Sequence, residues 1–448
     1  MLEAGAPPRA MVRTIDEYLD EVSGISHLRD EFGAISLTKA FSANERSERI
    51  MFEADRRIFL QSFAIGAGVL ASSQAFGAAP DGHAAGYDVS PASDYLKTIP
   101  RKSGDPVVFT ASLDKGPIKA TSGGWAREIT TRGLPIATHI AGAHLFLNAG
   151  GAREMHWHDS AEWAYIVEGH CQVAVVDAEG QAEVVNLGPG DLWYFPKGHG
   201  HSIQTLGAAP CHAILAFDDG LYSEHGTFGI SDWMSRYDTL VLSQAFGVSA
   251  EALARIPKAE TYIMQGEVLP LDGPQARTAR ELDRGRSHRH ALMAQKPKVS
   301  TPGGALYVAS AKEFPVSTTL TGMVLKLKRG AMHEPHWHTD ANEWHYVLKG
   351  RTRVTLFAAD KRVAVAELSP GECAYIPRNC GHSIQNVGPE DAEIVGVLDN
   401  AAYHESSLSD WLAKAPRHLL ANNFGIAEKD VANFGRKRMV IAPSVTPT

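Results

Sequence analysis

The sequence predicts an all-β protein of two tandem barrels or sandwiches built on one plan, each followed by a short helical segment. Three observations carry that prediction. The chain repeats itself at a nearly constant offset, its apolar runs are short and β-branched, and Gly or Pro interrupts them at intervals of about ten residues.

The repeat is visible in three places. GGAREMHWHDSAEWAYIVEG (150–169) is answered by GAMHEPHWHTDANEWHYVLKG (330–350), and GDLWYFPKGHGHSIQTLG (190–207) by GECAYIPRNCGHSIQNVG (371–388). SDWMSRYDTLVLSQAFGVSAEAL (231–253) is answered by SDWLAKAPRHLLANNFGIAEKDV (409–431). The offset is 180 from His156 to His336 and 181 from both Glu162 to Glu343 and His201 to His382. Runs such as Tyr165–Val167, Val173–Val176, Leu192–Phe195, Val354–Phe357 and Ala374–Ile376 read as short antiparallel strands. Ser231 and Ser409 are expected to cap the helical stretches that close each copy. The first repeat unit is placed at 95–254 and the second, with its tail, at 301–448; the Arg-, Lys-, Gln-, Gly- and Pro-rich stretch 255–300 reads as a linker.

At 448 residues the chain can bury two cores, and 44% hydrophobic with 21% charged residues is ordinary for a soluble protein. A net charge of -8 argues against a nucleic-acid partner, which wants a basic face, while leaving room for a small anion held by a buried arginine. Cys171, Cys211, Cys373 and Cys380 are too few and too scattered for a disulfide framework or a thiolate metal site and read as small buried hydrophobes.

Near the N-terminus, Arg56 and Arg57 precede Ile58, Phe59 and Leu60, a modest apolar stretch, and small residues at Ala75–Ala79. Residues 51–79 therefore read as a secretory signal of twin-arginine (Tat) type, although Asp55 and Gln61 depart from that pattern. The expected location is periplasmic or secreted, with the cytoplasm as alternative. Polar residues in the stretch argue against a stable membrane anchor. Residues 1–50 would be an upstream extension, with Met51 the candidate native start.

Chemistry concentrates in the repeated histidines. On a strand, residues i and i+2 share a face, so His156 pairs with His158 and His336 with His338. Glu162 follows His158 by an even step, whereas Glu343 follows His338 by five residues and needs a bulge or turn to regain the face. His201 and His382 arrive from a later strand. Three imidazoles and a carboxylate, twice over, suit a divalent first-row metal in each copy.

The pattern G-x5-H-x-H-x3,4-E-x6-G resembles the first cupin motif, met by Gly150 to Gly169 and Gly330 to Gly350. The second cupin motif is approached by Gly190, Pro196, Gly198 and His201, and by Gly371, Pro377, His382 and Asn386. REMHWH, AEWAY, GDLWYFP, HSIQ and FDDG, with a Ser-Glu loop before TF and DW, resemble more closely the bicupin oxalate decarboxylases over roughly residues 95–430. That resemblance implies two double-stranded β-helix (jelly-roll) barrels and two Mn(2+) per chain, held by His156, His158, Glu162 and His201 and by His336, His338, Glu343 and His382. It also implies oxalate as substrate, dioxygen as co-oxidant, a homo-oligomer (trimer or hexamer), and conversion of oxalate to formate and CO2. Arg153 would hold the substrate carboxylate, and Glu224, on a loop between Gly220 and Gly226, would move the proton.

The second copy departs from the pattern, with His333 in the place of Arg153 and Gly396 where the family's second site usually carries a glutamate. Chemistry is therefore expected in the N-terminal barrel, with His345 or His404 as candidate unorthodox acid–base groups of the second site. Trp157 and Trp337, between the paired histidines, read either as charge relays or as packing. Two alternatives stand beside this reading. One is an oxalate oxidase giving CO2 and H2O2, which the lid acid Glu224 argues against; the other is a non-enzymatic metal-binding or storage bicupin.

Overall fold

The computed structural model describes residues 107–222, 226–256, 261–272, 287–359, 362–434 and 439–445. The segments 1–50 and 51–79, and Glu224, lie outside the described residues.

Each copy is a pair of antiparallel sheets. In the first, one sheet runs Arg289–His290, Leu192–Phe195, Glu162–Glu168, Cys211–Phe217, Ala141–Leu147, Gly124–Ile129, Ile118–Thr121. The other runs Phe228–Gly229, Gly151–Trp157, Gly200–Leu206, His170–Val176, Ala182–Leu187, with Ile263–Gln265 also on Gly151–Trp157. The second copy repeats this order from Val299–Thr301 to Ile441–Ala442. Strands such as His170–Val176 bury Cys171, Val173 and Val175 and leave the alternate side chains outward, the period of a half-buried wall. All four cysteines are buried and unbridged.

The two barrels exchange strands reciprocally. Thr110–Ser112, leading into the first barrel, pairs with Glu372–Ile376 of the second, while Arg289–His290, leading into the second, pairs with Leu192–Phe195 of the first. The stretch 255–300 therefore does more than connect, since it contributes Ile263–Gln265 and Arg289–His290 to the first barrel. Two tryptophans lock the contact in the same reciprocal way. A Cβ on Gly322 would lie 2.3 Å from Trp163 Cζ2, and one on Gly142 would lie 2.2 Å from Trp344 Cζ2, so each indole rests directly on the other barrel's backbone.

The helical segments begin earlier than the serines predicted. Ile230–Arg236 is preceded by Gly229 as cap, and Leu408–Lys414 by Ser407, whose side chain accepts from Asp410 N. Ser231 sits inside the first turn because its hydroxyl and amide both go to Glu154. Trp157 and Trp337 lie on the outer face against these segments: Trp157 stacks on Phe228 at 5.3 Å and meets Trp233 edge-on, and Trp337 meets Trp411. Among the described residues, no helix is long and apolar enough to cross a membrane.

Candidate metal centres and substrate cavity

In both barrels the paired histidines come at the end of one strand, and the glutamate opens the next strand, in the other sheet. Gly151–Trp157 leads into Glu162–Glu168, and Met332–Trp337 into Glu343–Lys349. Of the arrangements the spacing allowed, a single strand or a turn between two, the structure has the turn. The chain turns the corner between sheets, and the extra residue of the second copy is absorbed there. A bulge does occur, but in both copies and one step earlier, where the register shifts between Arg153 and His156 and between His333 and His336. Three residues apart on a regular strand, Arg153 and His156 would face opposite ways; the bulge turns both inward. Pro335 occupies the second bulge, a position where a strand tolerates proline.

Four ligand atoms converge in each barrel, from His156, His158, Glu162 and His201 and from His336, His338, Glu343 and His382, each set mutually within 4.8 Å. All eight residues are buried. Every imidazole is oriented by its rear nitrogen: Nδ1 of His156 donates to Glu154 O (2.7 Å), His158 to Ser160 O (2.7 Å), His201 to His199 O (2.8 Å), His336 to Glu334 O (2.7 Å), and His382 to Cys380 O (3.1 Å). His338 donates likewise to His404 O. A carbonyl only accepts, so a neutral ring presents a bare Nε2 lone pair to the centre, the form a metal takes.

That tautomer makes the front distances informative. Nε2 of His158 and His201 lie 3.2 and 3.5 Å from Glu162 Oε2, and those of His338 and His382 lie 3.1 and 3.0 Å from Glu343 Oε2. Two lone-pair atoms so close repel unless a proton or a cation lies between them. His201 Nε2 and His336 Nε2 are buried without a hydrogen-bond partner. The donor set thus fits a divalent first-row metal in each barrel.

Burial sets the titration. It pushes His156 and His336 well below their ordinary 6.5, helped by Arg153 and His333 respectively, and lowers His201. Burial alone would raise Glu162 and Glu343, but their histidine partners outweigh it and hold both carboxyls well below the ordinary 4.5. His338 is raised, burial being overcome by Glu343. For the lowered histidines the unfolded chain binds more protons, so their stability contribution is complete above pH 6.5 and is lost as pH falls toward the folded values; the glutamate contribution is complete above 4.5 and lost below it. The metal-free chain is therefore expected to melt at progressively lower temperature from pH 7 to 4, with His338 opposing weakly. Manganese at a hundredfold excess over its dissociation constant would add about 2.7 kcal/mol per site. Thermal melts against pH, with and without metal, check this, and a flat metal-free profile would count against it.

A cavity of ≈190 Å³ reaches from the first centre to the rim, lined by His156, Glu162, Arg153, Tyr222 and Tyr262 with apolar Leu145, Ile203, Leu215 and Phe217. Arg153 donates to Tyr262 O (3.2 Å) and lies 4.3 Å from the centre of the Tyr262 ring. Tyr222 stacks on Phe217 at 3.5 Å and abuts His158 edge-on. Neither tyrosine was singled out by sequence; Tyr222 carried a signal, its match to Tyr403 at the same offset of 181.

The second centre corrects one expectation. Gly396 is not in a loop at all but in the middle of Ala392–Leu398, paired with Met323 and His345. The second centre does carry a glutamate, Glu405, which accepts from His333 Nε2 (3.2 Å) and Tyr403 OH (2.6 Å). Phe228–Gly229 and Ser406–Ser407 occupy the same ladder positions, so the second loop lacks counterparts of residues 225–227 and an alignment run back from Ser409, Asp410 and Trp411 loses register. Burial would raise Glu405, but the His333 hydrogen bond and charge hold it far below the carboxylate range. His404 is largely exposed and paired with Asp340 at 2.7 Å, and His345 is buried behind Glu343.

Comparison with known proteins agrees with this architecture. The profile of the cupin family matches residues 111–253 and 290–432. Oxalate decarboxylase OxdC of Bacillus subtilis (strain 168) is 36% identical over 301 residues, 66% of this chain and 76% of that protein. A probable oxalate decarboxylase of Arthroderma benhamiae is 33% identical over 71% of this chain and 79% of its own length. A Bacillus subtilis oxalate decarboxylase structure described for its Mn(II) centres superposes with a TM-score of 0.71 at 31% identity, covering 76% of this chain and 90% of that one. With two cupin barrels, two buried His3Glu sets and this similarity across most of the chain, the protein belongs to the bicupin oxalate decarboxylase family.

Proposed function

We propose that the chain is a manganese-dependent oxalate decarboxylase that works in its N-terminal barrel. The observation that carries the assignment is Arg153, a buried cation turned by the bulge onto the same cavity as His156 and Glu162. The cavity lies below the roughly 300–1,000 Å³ of drug-sized sites, which suits a very small substrate. In the second barrel His333 stands at that position and is already hydrogen-bonded to the chain's own Glu405.

Manganese, when bound, supplies a one-electron couple and, with dioxygen, the electron sink that cleavage between two carboxyl carbons requires. Arg153 binds and orients the substrate carboxylate, held in place by the Tyr262 carbonyl and ring face. Leu145, Ile203, Leu215 and Phe217 exclude water around it. Glu224 takes the carboxyl proton and returns it to the carbon that CO2 leaves, yielding formate. In Glu224→Ala, formate production is expected to fall about 10²–10⁴-fold, the usual worth of a positioned acid–base group, with residual turnover shifted to peroxide. Unchanged formate would remove Glu224 from the mechanism, and peroxide as the main wild-type product would make the protein an oxidase.

The Arg56–Arg57 segment supports export to the periplasm, and the exposed aromatic faces around Trp233 and Trp411 support a homo-oligomer. Fractionation should then find a mature chain starting near residue 80 outside the cytoplasm, retained inside by Arg56→Lys/Arg57→Lys. A single-chain mass by light scattering would refute the oligomer.

A further inference from the structure

The two centres differ behind their glutamates. In the first barrel, neighbouring strands place Trp193, Ala164, Leu215 and Ala143 side by side in one row of the wall. The equivalent row in the second barrel is Ala374, His345, Gly396 and Met323. The order large–small–large–small has become small–large–small–large, with every member buried. Gly396 is small for this reason: a Cβ there would lie 2.4 Å from Met323 Cε, so the methionine lies across it. The bulky positions of the row have thus moved to the neighbouring strands.

The inversion has a chemical consequence. Glu162 turns Oε2 to the histidines, and its Oε1 accepts from Trp193 Nε1 at 2.8 Å. Glu343 also turns Oε2 to the histidines, but its Oε1 meets Nδ1 of His345, from the adjacent strand, at 3.2 Å. An indole is a fixed donor, whereas an imidazole donates only in the tautomer that leaves Nε2 bare, and His345 Nε2 is buried without a hydrogen-bond partner. The two outer carboxylate oxygens are thus held by donors of different kind and reach, an indole at 2.8 Å in the first barrel and an imidazole at 3.2 Å in the second.

We infer that His345 is a positioning residue of the second centre, holding Glu343 by its outer oxygen and setting that metal apart from the first. This rests on the proposed loading of both barrels with manganese. Release of manganese to a chelator from the loaded full-length chain, together with its Mn(II) EPR spectrum, tests it. In His345→Leu one of the two ions should leave about 10–100-fold faster, with one EPR component altered and the other unchanged. His345→Gln, which keeps an N–H donor, should restore both readouts, and His345→Ala/Ala374→Trp, which offers Glu343 an indole donor as in the first barrel, should restore slow release while moving the altered EPR component toward that of the first centre. Wild-type release and spectrum in His345→Leu would overturn the role of His345 alone. So would a loss rescued by neither variant, which would mark packing. A wild-type chain that takes up no manganese would overturn the metal reading as well.

Discussion

Arg153→Leu is expected to lower kcat/KM for oxalate about 10²–10³-fold, near 2.7–4 kcal/mol, the scale of losing a buried donor to developing or bound negative charge. Manganese content should stay at the wild-type value, because Arg153 contributes no ligand atom to either set. Arg153→Lys should recover little. The guanidinium lies over the Tyr262 ring, 4.3 Å from its centre, and donates to the Tyr262 carbonyl while lining the cavity, a planar fork that one ammonium cannot reproduce. Steady-state kinetics with metal analysis checks this, and near-wild-type kcat/KM in Arg153→Leu would move substrate binding elsewhere. The reverse change, His333→Arg, should not create a second working site while Glu405 remains to pair with the new cation.

The second large effect concerns the joint between barrels. Trp344→Ala should cost about 3–5 kcal/mol, since it empties the space of a fully buried indole that rests on the Gly142 backbone of the other barrel. Gly142→Ala should damage the same contact from the opposite side by steric overlap rather than by a void. Because the strand exchange ties each barrel to its neighbour's sheet, the loss is expected as a lower melting temperature of a single transition. Calorimetry reads this directly. An unchanged melting temperature in Trp344→Ala would show that the indole contact carries no stability.

Much of the site was legible in the chain because it is local. The HxH pairs and the following glutamates stand at short spacings, the late histidines 39 residues further on in each copy, and their repetition 180–181 residues apart identifies them without any coordinates. Arg153 was legible by resemblance, yet its inward direction depends on the bulge between it and His156, which no periodicity announces. Glu405 was missed for a different reason. Its loop lacks three residues, so its match to Glu224 holds only when counted from the N-terminal side, through Tyr222 and Tyr403. Three missing residues displace the match only to Ala402; Gly396 lies nine residues before Glu405, within Ala392–Leu398, where it is a gap in a wall that Met323 fills.

By itself the sequence determined the all-β class, the duplication and both ligand sets, since short β-branched runs mark strands locally and the repeat picks out the same ligand types at matched positions in each copy. Only the tertiary structure decided which strand supplies the donor behind each metal-binding carboxylate, that His333 is already engaged by Glu405, and that each barrel borrows a strand and a tryptophan seat from the other. Those outcomes depend on which distant strands lie side by side. A small residue on one strand is neutral until its neighbour across the ladder is known, and that neighbour is chosen by the folding of the whole sheet.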